Sequence, residues 1–485
     1  MSKHDLIDEG VGGTLERRKI PSTAESFSDS VGELTRLADV TNVSSDLDIL
    51  IAGRVLSLEP SDITNGAWKG TLADGTAVVE FTSDHSLEDA FGVGDIIEAR
   101  ARVMDGSRIW LHSGHLRLLT HSRLILPTAE SWATQAVEVR REQPELDMLL
   151  QTRRGLRLIK RSNALQYVRS YMAERGFREV DTPILVPWPD IAPVEPVGTK
   201  EGRFAREGDL RIANTEFMRR LLVAGFDRVY QLGRCFRDEA PSHKHMVEFT
   251  QLTFGISYAD YTALMRVIED LVLGLLHATK DSDSIDWNGR SIDMTPPWAR
   301  VTVRDAFKEE TGIDLDLFAD AESLRERLAA LGMAVPDDVE GYGGILAHAR
   351  LVDSLIDRYV IPAFRGPTWL QEYPYYLGGP AKEILQRPAY KMRAELFIDG
   401  IEIANISVPQ NDSDKVRQWY YEMRRLKIEQ GWETPHLDEP YLTAMDLGIP
   451  VCATGGLGFD RLLMMLLGAD DIRDVMFFPS GAQYA

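Results

Sequence analysis

Residues Ala394-Glu395-Leu396-Phe397-Ile398-Asp399-Gly400 run into Ile401-Glu402-Ile403-Ala404-Asn405-Ile406-Ser407-Val408. Two β-prone runs joined by Asp-Gly predict a hairpin, because a tight hairpin turn needs positive φ at both central residues and this dipeptide tolerates it. Such a pair is antiparallel. Arg228-Val229-Tyr230-Gln231-Leu232 is a further expected strand. Around these runs strands and helices alternate irregularly, with few βαβ units. The expected class is therefore α+β, an antiparallel sheet flanked by helices. The sequence has no internal repeat and no Walker or Rossmann glycine pattern.

Towards the N-terminus, Leu156, Ile159, Ala164, Leu165, Val168, Tyr171 and Met172 recur at helical spacing until Gly176 ends the run. Arg153, Arg154, Arg157, Lys160, Arg161 and Arg169 share this stretch, and their spacing predicts the solvated face of the helix. Residues 122–145 read as a linker. Short strand-like runs at Asp48–Leu56, Thr76–Phe81, Asp95–Val103 and Arg108–His112 predict a small OB-type β-barrel over residues 46–121. Turns at Asn65-Gly66, Asp74-Gly75, Gly92–Asp95 and Asp105-Gly106 separate them. Residues 1–45, rich in Ser, Thr, Gly, Asp and Glu, read as a mobile tail with a helical stretch near Val31–Leu37. The α+β domain takes residues 146–485.

A chain of 485 residues exceeds one ordinary core, and 44% apolar with 27% charged residues describes a globular protein. The net charge of -21 argues against holding nucleic acid by bulk electrostatics. No apolar stretch reaches the ~18–20 residues of a membrane span, and Met1-Ser2-Lys3-His4-Asp5 lacks the apolar core of a secretory signal. Cys235 and Cys452 are too few for a disulfide framework or a CxxC metal site, so a cytoplasmic location is expected and both read as packing residues.

The chemistry concentrates in two distant segments. One holds Phe236-Arg237-Asp238-Glu239, His243-Lys244-His245 and Glu248-Phe249-Thr250; the other is Gly455-Gly456-Leu457-Gly458-Phe459-Asp460-Arg461, followed by apolar Leu462 to Leu467. An arginine cannot discharge, so one set in apolar surroundings calls for an anionic partner. A polyphosphate clamped from both sides is the simplest partner. Taken singly, Phe249 reads as core, His243 as a loop residue, and the glycines as a turn.

These two segments, preceded by Gly176-Phe177-Arg178-Glu179-Val180-Asp181-Thr182-Pro183-Ile184-Leu185, resemble the three ordered motifs of class II aminoacyl-tRNA synthetases. Within them the lysyl/aspartyl/asparaginyl subgroup carries an N-terminal OB barrel. The lysyl branch is most similar, through Arg211-Ile212-Ala213, Leu221 to Tyr230, Pro367-Thr368-Trp369, Glu372-Tyr373-Pro374 and Pro380-Ala381-Lys382. The resemblance implies ATP and Mg2+ as cofactors, an amino-acid substrate, tRNA as an acceptor, and a homodimer built through the first motif. It implies catalytic roles for Arg237, between substrate carboxylate and α-phosphate, and for Arg461. Glu239 would meet the adenine edge and Phe249 would stack on its ring. His245 and Arg461 would hold the γ-phosphate, and Glu402 the metal. Asn214, Thr215, Thr253, Gly255 and Asn405 would line the amino-acid pocket.

The chain departs from the lysyl pattern on that side. Asn214-Thr215 stands where the family has proline and glutamate, Thr253 where it has a second glutamate, Gly255 where it has tyrosine, and Pro409 where it has another acid. Ala453-Thr454 replaces a glycine pair. A buried ammonium without carboxylates costs several kcal/mol, so lysine is a poor substrate on this reading. In the barrel, acidic Ser57-Leu58-Glu59-Pro60-Ser61-Asp62 lacks the family's arginine, although Trp68 and Trp110 offer stacking surfaces. Anticodon contacts of the usual kind are not expected. The leading expectation is an enzyme that activates a non-lysine amino acid as its adenylate and passes it to tRNA or to another acceptor. An orthodox synthetase and a non-catalytic regulatory subunit are the alternatives.

Overall fold

The computed structural model describes residues 34–61, 67–75, 77–87, 90–105, 108–150, 153–187, 195–201, 206–335, 343–429 and 437–479. The chain divides into two compact units at Gly155/Leu156.

In the first unit β1 (Asp48–Pro60), β2 (Trp68–Ala73), β3 (Val78–Ser83), β4 (Ile96–Asp105) and β5 (Arg108–Thr120) close a barrel in the order β1-β2-β3-β5-β4. Period-two alternation buries Ile51, Val55, Leu72, Val79, Phe81, Ile97, Ile109 and Leu111 inside it. β2 is the strand that the sequence hid, because Trp-Lys-Gly-Thr-Leu-Ala does not alternate. Its Gly70 is required by close approach, since a Cβ there would lie 2.2 Å from the Ser57 carbonyl. The Asn65-Gly66 turn, Asp62 and residues 1–33 of the expected tail lie outside the described residues. The tail's last part carries a 3-10 helix, Leu37–Asn42, whose Leu37 and Val40 are buried in the barrel core. The expected linker is also partly helical, over Ala129–Ala133 and Val137–Glu142, with Trp132 buried against Leu146 and Leu150.

The second unit begins on the predicted helix, Arg153–Glu174, which ends before Gly176 at φ +75°. β6 (Arg178–Glu179) follows. β7 (Leu185–Val186), β8 (Val197–Glu201) and β9 (Arg206–Leu210) form a small sheet, then β10 (Arg228–Phe236) and β11 (Glu248–Ser257) a long antiparallel pair. β12 (Ser284–Trp287) and β13 (Arg290–Asp293) make a separate hairpin. The rest are β14 (Ala299–Thr302), β15 (Thr368–Pro374), β16 (Glu383–Ile384), β17 (Arg387–Ile398), β18 (Ile401–Ser407) and β19 (Cys452–Gly458). The large sheet runs β14-β15-β17-β18-β19-β11-β10-β6, with β16 on β17. The predicted hairpin joins β17 to β18, with φ +46° at Asp399 and +79° at Gly400.

Register gives this sheet two unlike faces. Leu232, Leu252, Leu457, Ala404 and Leu396 oppose one another in one row, on the face that packs on the helices Tyr261–Lys280 and Phe459–Leu466. The neighbouring row, Gln231, Thr253, Gly456, Asn405 and Glu395, faces the other side. The helix Thr215–Val223 packs on that polar face through Met218 and Leu222, which share a core with Val229.

The basic run on this helix is a solvated face only in part, with Arg153, Lys160 and Arg169 exposed and the others turned inward. Arg161 is 4% exposed and Arg154 5%, while Arg157 reaches the Leu467 carbonyl. Charge spacing alone cannot distinguish a solvated guanidinium from one buried against carboxylates and carbonyls. Arg169, exposed and paired with Glu179 at 3.1 Å, does follow the expectation.

Candidate active site

Arg237 follows β10, and its amide donates to the Val247 carbonyl at 2.9 Å, closing the loop that carries His243, Lys244 and His245. Its guanidinium carbon lies 5.2 Å from the centre of the Phe249 ring. Its Nε is buried without a hydrogen-bond partner among the described residues. A buried N–H of a group that cannot discharge is an unmet demand for an acceptor, and a ligand's anionic oxygen fits it. Glu239 sits half-buried just beyond, its amide on the Arg237 carbonyl at 2.9 Å.

Arg461 lies in the first turn of the Phe459–Leu466 helix, directly after β19. It donates through Nε to the Lys244 carbonyl and through Nη1 to the carbonyl and Oε2 of Glu402, each at 3.2 Å. Three segments distant in sequence thus meet at one side chain. His245 is half-buried here, with Nδ1 2.9 Å from Ser242 Oγ. Burial, then the charges of Arg461 and Lys244, push its pKa down to about 4. It is therefore a neutral ring near neutral pH, next to cations that an arriving anion would balance.

Glu402 is half-buried beside Arg461. Magnesium is usually held by one or two carboxylates together with phosphate oxygens and water, which a lone carboxylate in this position suits. Among the described residues no group of three or more His, Cys, Asp or Glu forms a cage for a cation. Glu395, which the sequence reading passed over, is a half-buried carboxylate accepting from Tyr373 Oη at 2.6 Å and Asn405 Nδ2 at 2.7 Å, and contacting Arg393. Burial pushes its carboxyl up from the ordinary range against the pull of Arg393. The available signal was Arg393 and Glu395 two residues apart in one strand, hence on one face.

On the amino-acid side, Thr253 and Gly255 lie on the polar face of β11. Thr215 opens the Thr215–Val223 helix, and Asn214 precedes it without capping it, its amide donating instead to Gln231 Oε1 at 2.6 Å. Asn405 shares the row of Thr253. Pro409 is buried at a bridge to Ala381. Gly455, Gly456 and Gly458 belong to β19 rather than to a turn. Phe249 is half-buried and not in the core. Cys235 and Cys452 are buried and free.

Comparison with known proteins identifies the family. Residues 136–482 match the model of tRNA synthetases class II (D, K and N). The chain is 31% identical over 443 residues to a lysine–tRNA ligase of Syntrophomonas wolfei, covering 89% of this chain and 87% of that one. A lysine–tRNA ligase of Chloroflexus aurantiacus is 33% identical over 359 residues, covering 74% and 72%. One of Dehalococcoides mccartyi is 31% identical over 473 residues, covering 95% and 93%. With its OB-like barrel, its mostly antiparallel sheet and its match to the family model, this chain belongs to the class II aminoacyl-tRNA synthetases of the aspartyl, lysyl and asparaginyl group, ligases that form aminoacyl-adenylates.

Proposed function

We propose that this ligase activates an amino acid other than lysine, and that the acyl group passes to tRNA or to a different amine, hydroxyl or thiol acceptor. The observation that carries the reading is the split character of the polar face. The Arg237–Arg461 side keeps its cations, while Thr253 holds an uncharged side chain where a lysine substrate would need a carboxylate. ATP binds with its α-phosphate at Arg237, its adenine against Phe249 and Glu239, and its γ-phosphate at Arg461 and His245. Glu402 would hold magnesium, which would supply positive charge beside the phosphates. Arg237 meets the charge that develops on the α-phosphate, and its fixed position needs no reorganisation during the step. The chain contributes positioning and electrostatics, with no covalent enzyme intermediate.

The protein works as a homodimer in the cytoplasm. Leu156 and Ile159, both 49% exposed, together with exposed Ile184 and Leu185, give the first motif an apolar surface for a second copy. Sedimentation as a monomer at micromolar concentration contradicts this.

A second reading, an orthodox lysyl enzyme, is favoured by relatives near 30% identity that carry that name. Incubating the purified protein with labelled lysine, ATP and total tRNA separates the two. No lysyl-tRNA forms on the proposed reading, whereas efficient charging restores the orthodox one.

A further inference from the structure

Four polar oxygens are buried on the amino-acid side without a hydrogen-bond partner among the described residues. They are Asn214 Oδ1, Gln251 Oε1, Thr253 Oγ1 and Thr454 Oγ1. Buried polar groups in folded chains are nearly always paired, so four in one neighbourhood need an explanation.

They are neighbours through the sheet. Thr253 opposes Gly456, and Thr454 opposes Gly255 two residues along the strands, on the same face. Gln251 reaches across Gly456, where a Cβ would lie 1.8 Å from its Nε2. Asn214 approaches from the helix side by its bond to Gln231, which opposes Thr253.

The orientation of Asn214 follows from donor logic. Arg211 can only donate, and its Nη1 lies 3.3 Å from Gln231 Oε1, so that atom is an acceptor. The same oxygen takes Thr182 Oγ1 and Asn214 Nδ2, each at 2.6 Å. Asn214 therefore presents its amide nitrogen to Gln231, and its carbonyl oxygen is the atom left over. It can be satisfied only by a donor.

We infer that the side-chain subsite selects an amino acid with a neutral hydrogen-bonding side chain, a hydroxyl or a carboxamide. This deepens, and rests on, the reading of a non-lysine adenylating enzyme. Asn214 Oδ1 and Gln251 Oε1 accept from the substrate's side-chain N–H or O–H. The Thr253 and Thr454 hydroxyls donate or accept as the side chain requires. A second ammonium would find uncharged oxygens where it needs a carboxylate. A side-chain carboxylate would need a cation, and Arg211 already donates to the Arg234, Thr182 and Pro183 carbonyls, while Arg219 donates to Tyr441 Oη. An apolar side chain would leave all four oxygens unpaired. Glu395 is no substitute acid, since Arg393, Tyr373 and Asn405 already bind it.

The test combines binding and turnover. Full-length protein is titrated calorimetrically with each standard amino acid in the presence of a non-hydrolysable ATP analogue, and assayed by ATP–pyrophosphate exchange. Serine, threonine, asparagine or glutamine should bind and support exchange. Thr253→Val and Thr454→Val keep shape and remove the hydroxyl. Each should lower kcat/KM for that amino acid by about 10²-fold, as for a site that hydrogen-bonds its substrate, with the KM for ATP unchanged. Exchange with an acidic, cationic or apolar amino acid other than lysine overturns the inference and leaves the parent reading standing. Exchange with lysine overturns both. Unaltered kcat/KM in both valine variants overturns the subsite assignment whichever amino acid is used. Binding and exchange by no standard amino acid overturn the inference too.

Discussion

The Asp460 carboxylate takes the backbone N–H of Thr250 at 2.6 Å through Oδ2 and Arg161 Nη1 at 2.5 Å through Oδ1. Arg161 in turn donates to Thr250 Oγ1 and to the Val475 carbonyl, both at 2.9 Å. The residue next to Arg461 is thereby fastened to the strand that begins next to Phe249. The anchor is fully buried, with Asp460 1% and Arg161 4% exposed.

Breaking it should be costly. Arg161→Leu leaves a buried carboxylate without its cation, a change worth about 3–5 kcal/mol. Urea unfolding should register that loss. Exchange activity should fall with it even in the folded fraction, because Arg461 loses its anchor to the strand carrying Phe249.

Arg237→Ala should behave in the opposite way. Its Nε has no hydrogen-bond partner among the described residues, so removing the guanidinium should leave the melting temperature close to wild type. Exchange should fall by at least about 10²-fold, as when a preorganised donor is taken from a developing negative charge. Melting curves and exchange rates of the same preparation check both halves.

Two adjacent glycines separate stability from function. A Cβ on Gly455 would lie 2.5 Å from the Asn405 carbonyl and 2.8 Å from Ile406 Cα, backbone atoms that cannot move aside. Gly455→Ala should therefore destabilise by about 1–3 kcal/mol or more. On Gly456 the Cβ would strike only the end of Gln251. Gly456→Ala should fold, with a raised KM for the amino acid as the displaced amide loses its place. Thermal melts and exchange kinetics distinguish the pair.

His245 should leave a mark on the pH dependence of stability. Its folded pKa, about 4, lies below the ordinary value of 6.5. Between those values the unfolded chain binds a proton that the native site refuses, so stability is lost as pH falls from 6.5 towards 4. The limit is about 1.4 kcal/mol per pH unit, reduced by the ring's partial exposure. His245→Asn should melt with a shallower decline over this window than wild type.

Much of this architecture was legible because the physics is local. The Asp399-Gly400 turn, the helix before Gly176, and the two arginine segments announce themselves by spacing and residue type. What escaped depends on approach from afar. The strand at Trp68–Ala73 has no alternation, and its Gly70 is dictated by Ser57. Arg161 looked solvated because Asp460, its partner, is 299 positions away. Gln231, Gln251 and Glu395 gain meaning only when register sets them beside the motif residues. Glycines 455, 456 and 458 read as a turn because a one-dimensional string hides which neighbours crowd a strand.

Whether lysine is the substrate is decided by amino-acid-dependent ATP–pyrophosphate exchange across the standard amino acids. Exchange is expected with a non-lysine amino acid, and none above background with lysine. Robust lysine-dependent exchange, with lysine preferred over every other amino acid, would contradict it.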